Sequence, residues 1–235
     1  MKDEKQIAAV IRLIKKETRK FKNPIVTEVG KSGPYHVLVS CLLSLRTRDE
    51  TTAKASKRLF ALAGAPEKMV RLTAKQIEKA IYPVGFYRVK AKRIKEISRV
   101  LIEKYSNKVP DDFNELMKLK GVGRKTANIV MVYGFHRHGM PIDVHCHRIP
   151  NRLGWVKTKT PEQTEEALRK LLPKRYWLDF NNTFVVFGQN ICRPVKPHCW
   201  ECPVARYCDY YRKVYTKPRK EPLHASWFSI WEANK

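Results

Sequence analysis

Leu119-Lys120-Gly121-Val122-Gly123-Arg124-Lys125-Thr126-Ala127-Asn128 is the stretch on which the fold turns. It reads as a Gly-x-Gly hairpin between two helices, with a lysine where the second helix begins. Upstream, Asp112-Phe113-Asn114-Glu115 has a capping Asp followed three residues later by Glu, the pattern of a helix start. Downstream, residues 126–135 are apolar enough to form a largely buried helix. Gly121 and Gly123 let the backbone turn tightly and approach a ligand, exposing amides at a helix N-terminus, a place suited to phosphate.

Working outward, the chain reads as helical throughout. Ile7, Val10, Ile11 and Ile14 share one stripe, which predicts a helix over 6–20 ended by Asn23-Pro24. Gly33-Pro34 opens an almost wholly apolar helix to Leu45, the expected centre of a core. Helical spacing resumes over 50–63 and again from Thr73 to Tyr82. A long basic helix follows to Tyr105, with Ile94, Ile97 and Leu101 inward. Its Lys90, Lys92, Arg93, Lys95 and Arg99 are expected mainly on other faces, as a solvated or DNA-facing surface. Thr160-Pro161 caps a helix to Leu172, and 176–190 forms another. No segment alternates with period two, so the fold class is all-α.

With 48 Lys+Arg against 22 Asp+Glu, the formal charge is +26, which points first to nucleic acid as partner. An anionic membrane surface competes less well, because basic clusters occur along the whole chain. No apolar run approaches the roughly 18 to 20 residues that span a bilayer. The N-terminal residues lack a signal peptide's apolar core, so an intracellular protein is expected. Four of six cysteines lie in Cys192-x6-Cys199-x2-Cys202-x5-Cys208. Such a cluster binds metal more often than it forms disulfides. Zinc usually takes two short Cys pairs, and only Cys199 and Cys202 form one; a [4Fe–4S] cluster also takes four cysteines. On spacing alone both remain open.

Hairpin with lysine, Asp143 eighteen residues on and the terminal C-x6-C-x2-C-x5-C occur in that order. Together they resemble the endonuclease III family of helix-hairpin-helix DNA glycosylases, over about 26–208. The resemblance implies two all-α domains flanking a DNA cleft. One is a six-helix domain over 27–137 that contains the hairpin; the other is an iron–sulfur domain from 1–26 and 138–235. It implies Lys125 as nucleophile and Asp143, in Ile142-Asp143-Val144-His145, as the catalytic carboxylate. Cys192, Cys199, Cys202 and Cys208 become ligands of a [4Fe–4S] cluster. A phosphate would sit on the amides near Gly121 and Gly123, and the hairpin carbonyls would hold a monovalent cation. The implied activity is base excision: removal of oxidised pyrimidines, then cleavage 3′ to the abasic site through a lysine Schiff base. The partner is double-stranded DNA with a damaged base or abasic site, met by a monomer in the cytoplasm or nucleoid, wherever the genome is.

Free lysine, with a pKa of about 10.4, is protonated at neutral pH, so a nucleophilic amine must be brought down by desolvation or positive neighbours. A helix N-terminus and Arg124 are expected to act so on Lys125, whereas Asp143 favours the ammonium and is expected to act later in the reaction. Outside the motif, a Lys at a helix start is usually a solvated charge and such an Asp a cap. Further DNA contacts are expected from Arg124, His145, Arg193 and Lys196. His145 and His147 read as structural or phosphate contacts, not metal ligands. Two positions depart from the family. Arg46, in Ser44-Leu45-Arg46, stands where the family has a Gln that fills the flipped base's gap. Phe86 stands where it has an aliphatic wedge, and both insertion between bases and packing between helices are open for it. A monofunctional mismatch glycosylase and a non-catalytic iron–sulfur DNA-binding protein are the alternatives. Lys125 argues against the first, and Lys125 with Asp143 against the second.

Overall fold

The computed structural model describes residues 3–22 and 32–216, and no strand occurs among them. The domain boundary expected at 27, the Asn23-Pro24 helix stop and the basic, aromatic tail after Thr216 lie outside the described residues.

In chain order, α1 spans Glu4–Thr18, α2 Pro34–Ser44, α3 Asp49–Leu62, α4 Pro66–Met69, α5 Ala74–Ile81 and α6 Tyr87–Tyr105. The hairpin joins α7, Phe113–Lys118, to α8, Arg124–Ile129, which continues as a π-helical turn over Val130–Gly134. Then come α9, Val144–Leu153, α10, Pro161–Leu171, and α11, Trp177–Asn190. Short turns follow at Ala205–Tyr207 and Tyr211–Tyr215.

The starts obey local chemistry. Thr73 and Gln76 form a reciprocal capping box at α5, and Asp112 accepts from the amides of Asn114 and Glu115 at α7. Thr160 accepts from Gln163 N, with Pro161 in the first turn of α10. Helix α9, which the sequence pattern did not delimit, is capped by Asp143 and ends at Gly154 with φ 74°.

The apolar side chains fall into two cores. One is built around α2, buried on all sides, with α3, α5, α6 and the hairpin helices. The other joins Ile7, Val10, Ile11 and Ile14 of α1 to α9, α10 and α11. The N-terminal helix thus packs with the second half of the chain, and Lys15 reaches Asp179 at 2.7 Å. Polar bridges cross between the cores: Tyr133 to Asn181 at 3.4 Å, and Arg124 to Glu165.

One face departs from expectation. Lys90 is not among the outward charges of α6; it is 8% exposed and points inward. The apolar period of α6 would admit it beside Ala91 and Ile94, but a lysine is buried only where oxygens satisfy all its N–H groups.

Candidate DNA-processing site

The hairpin is tight because its two apolar residues, Leu119 and Val122, are buried and Val122 N bonds Leu119 O at 3.0 Å. The two glycines do different work. Gly121 has φ +82°, a conformation that disfavours side chains, and a Cβ there would overlap the Arg93 guanidinium. Gly123 is extended, so its backbone does not demand glycine; nothing lies within 4 Å of where its Cβ would be. The surface beside the start of α8 is therefore open to an incoming backbone.

Lys125, second residue of α8, is exposed. Its charge is felt on two sides. Burial pushes the Cys41 thiol up to about 12, with the Lys125 ammonium acting against it. Burial also lowers His145 below the ordinary imidazole value; Asp143 opposes this, while Arg148 and Lys125 reinforce it. The charges of Lys125, from the helix after the hairpin, and of Asp143, from the start of α9, thus both act on His145. Asp143 is also the N-cap of α9: its Oδ1 accepts from His145 N at 2.9 Å and Cys146 N at 2.8 Å. Oδ2 takes no part in that cap.

Arg124 is not the bare positive neighbour expected of it. Its Nε and Nη2 donate to the two carboxylate oxygens of Glu165 at 3.3 and 3.2 Å, and its guanidinium lies 5.2 Å from the Phe113 ring. Glu165 is 4% exposed and also accepts from Arg169 Nε at 3.0 Å and Asn128 Nδ2 at 3.3 Å. Asn128 Oδ1 in turn accepts from Met140 N at 3.0 Å. This network fastens α8 to α10. Glu165 was missed in sequence, although an acid beside the apolar Leu168 on the α10 face was a signal for it.

The four clustered cysteines line one pocket walled by Ile149, Leu153, Phe187 and Val204. Burial pushes Cys199 up to about 11 and Cys202 up to about 12, so a cationic centre is what would hold them as thiolates. Two arginines of α9 tie this loop back. Arg152 donates to the carbonyls of Arg193 and Pro194 at 2.6 and 2.8 Å and to Cys192 Sγ at 3.4 Å. Arg148 donates to Cys192 O at 2.6 Å and lies 3.0 Å from His145 Nδ1. His145 is half-buried, and a Cβ at Gly188 would overlap it, so one side of the ring is held by packing. His147 bonds Thr164 at 2.6 Å, a structural role.

Arg193 and Lys196 are exposed on the cysteine loop. Arg46 and Phe86 lie together on another rim, with the guanidinium 5.8 Å from the ring centroid. Phe86 is 62% exposed, so it is not packed between helices.

The match to known proteins follows the same segments. The model of the HhH-GPD superfamily base excision DNA repair proteins matches residues 39–174. Endonuclease III of Thermotoga maritima is 51% identical over 183 residues, 78% of this chain and 86% of that protein. Among solved structures, a trapped endonuclease III–DNA covalent intermediate superposes with a TM-score of 0.77 at 30% identity, covering 91% of this chain and 99% of that one. A thermostable thymine-DNA glycosylase superposes at 0.79 with 26% identity, covering 89% and 98%. The all-α fold is accordingly a shared one, and this chain belongs to the HhH-GPD superfamily of base excision DNA repair proteins, in its endonuclease III family.

Proposed function

We propose that this protein is a bifunctional DNA glycosylase and abasic-site lyase acting on oxidised pyrimidines in double-stranded DNA. The observation that carries the reading is that Lys125, at the open start of α8, and the capping carboxylate of Asp143 both act on His145. That a relative of similar fold has been trapped as a covalent intermediate with DNA supports it.

A sugar carbon inside duplex DNA is inaccessible, so the damaged nucleotide must leave the stack. The Lys125 amine then attacks C1′, the glycosidic bond breaks, and the base departs with its electron pair. Ring opening gives an iminium joining Lys125 Nζ to C1′. Loss of a C2′ proton and departure of the 3′ phosphate follow, breaking the strand by β-elimination. Asp143 Oδ2 is the group for proton transfer and for stabilising the cationic sugar; such groups contribute roughly 10²- to 10⁴-fold. The amides near Gly121 and Gly123 hold a backbone phosphate, with a monovalent cation on the hairpin carbonyls. Arg124, through its exposed edge, His145, Arg193 and Lys196 line the path of the strand, and Arg46 and Phe86 fill the gap left by the flipped nucleotide.

Cys192, Cys199, Cys202 and Cys208 would hold a [4Fe–4S] cluster. The four thiols line one apolar pocket, a donor set that fits such a group. When bound, the cluster supplies structural cross-linking of the loop that presents Arg193 and Lys196. We read the two cores as two domains with the DNA between them, in a monomer working wherever the genome is. The net charge of +26 implies phosphate contacts and an affinity that falls steeply with salt.

The test is borohydride trapping on an abasic duplex. Wild type becomes covalently linked to DNA, and Lys125→Ala does not. Equal trapping by Lys125→Ala would overturn the assignment of the nucleophile, and, on a second duplex carrying an oxidised pyrimidine, base release without strand cleavage by wild type would favour a monofunctional glycosylase.

A further inference from the structure

Lys90 takes no part in the chemistry above, yet it is the most completely enclosed ammonium at this rim. Its Nζ donates to Leu43 O at 2.8 Å, Leu45 O at 2.5 Å and Thr47 Oγ1 at 3.2 Å. Three N–H groups thus meet three oxygens, two of them main-chain carbonyls at the C-terminal end of α2, where the helix dipole favours a cation. Thr47 Oγ1 also accepts from Gly85 N at 3.2 Å, which extends the chain of bonds into the turn before α6. Gly85 is needed for that approach, because a Cβ there would stand 2.7 Å from Arg46 O. Lys90 N closes the circuit by donating to Phe86 O at 3.0 Å.

The loop after α2 and the turn before α6 are therefore joined through one ammonium, one hydroxyl and one glycine. On its outer side each carries a large residue in the left-handed region: Arg46 with φ 53° and Phe86 with φ 58°. Side chains rarely adopt that conformation, and it persists only where the surroundings over-determine it. The inner bonds supply that determination, and both side chains are exposed. We propose that Lys90 is a positioning residue that couples Arg46 and Phe86 into one rigid two-pronged element, so that both enter the duplex as a unit. This rests on the reading that Arg46 and Phe86 reach DNA.

The experiment is a double-mutant cycle on the full-length, cluster-loaded protein. The probe is a duplex with a non-cleavable abasic analogue opposite 2-aminopurine. Binding is read by anisotropy and unstacking by 2-aminopurine fluorescence. In wild type, Arg46→Ala and Phe86→Ala each weaken binding about tenfold, and the double variant is little weaker than either, the signature of coupled residues. In the Lys90→Met background, binding starts about tenfold weaker, the fluorescence rise is smaller and the coupling between the two residues is gone. Thr47→Val repeats the loss and Thr47→Ser restores it; this pair carries the comparison if Lys90→Met does not fold. Unchanged binding by both Arg46→Ala and Phe86→Ala would sink the DNA-contact reading. Single losses with the same coupling in wild type, Lys90→Met and Thr47→Val would sink the bracing role and leave that reading intact.

Discussion

Glu165→Gln tests whether the network under α8 holds the nucleophile's helix in place. The carboxylate is 4% exposed, whereas the arginine side chains it binds are 49% and 33% exposed at Arg124 and Arg169. Breaking a fully buried ion pair by removing one partner costs roughly 3–5 kcal/mol, because a charge is left stranded. Here the charges left behind are half in water and can be rehydrated. The Arg124 bonds, at 3.2 and 3.3 Å, are also longer than the usual charge-assisted 2.7–2.9 Å. Glutamine keeps the volume and one acceptor. The cost therefore falls to about 2 kcal/mol, a drop of roughly 4–8 °C in Tm for a chain of this size. Urea unfolding of the cluster-loaded protein reads the first number and calorimetry the second. Since Arg124 adjoins Lys125, single-turnover borohydride trapping slows about tenfold, the scale of a modest misplacement of a reacting group. A loss below about 0.5 kcal/mol with unchanged trapping would refute the reasoning, for it would mean the arginines are as well placed in water.

Asp143→Asn separates capping from chemistry. Asparagine caps as well as aspartate, so stability stays within about 0.5 kcal/mol, while base release slows at least about 100-fold; Asp143→Ala adds a cap loss of about 1 kcal/mol in the same unfolding measurement. Gly121→Ala, forced to φ +82° against Arg93, lowers stability by about 1–2 kcal/mol. Gly123→Ala, with open space for its methyl, leaves unfolding unchanged and weakens binding to abasic duplex instead. Burial lowers Lys90 to about 8 from an ordinary 10.5, so between those values the unfolded chain binds more protons than the native one. Stability of wild type relative to Lys90→Met accordingly rises with pH between about 8 and 10.5, by at most about 3 kcal/mol, and is level below that window, where both states are protonated. Denaturation midpoints of both proteins across that range check it; a difference independent of pH would contradict it.

The course of α9 shows what made some elements legible and others not. Pro150 lies inside this ten-residue helix and removes one of its amide donors, yet the Asp143 cap and the burial of Cys146, Ile149 and Leu153 against α11 make it stable. Where cap, period and stop agree, as at α5 and α10, the residues alone were enough.

Sequence by itself determined the all-α class, the hairpin and the grouping of four cysteines. Each of these is written locally, in capping residues, helical period and the spacing of chemically distinctive side chains, whereas the roles proposed for Lys125 and Asp143 come from the family resemblance of the motifs that hold them. Tertiary structure alone decided which charges are partnered and which face the solvent. Arg124 reads as a free cation until Glu165, 41 residues later, is folded against it. Lys90 reads as surface until the carbonyls ending α2 come over it, and Phe86 reads equally as core or wedge until its ring is left in solvent. A charge's partner and a ring's burial depend on segments distant in the chain, and no local pattern records which of them will arrive.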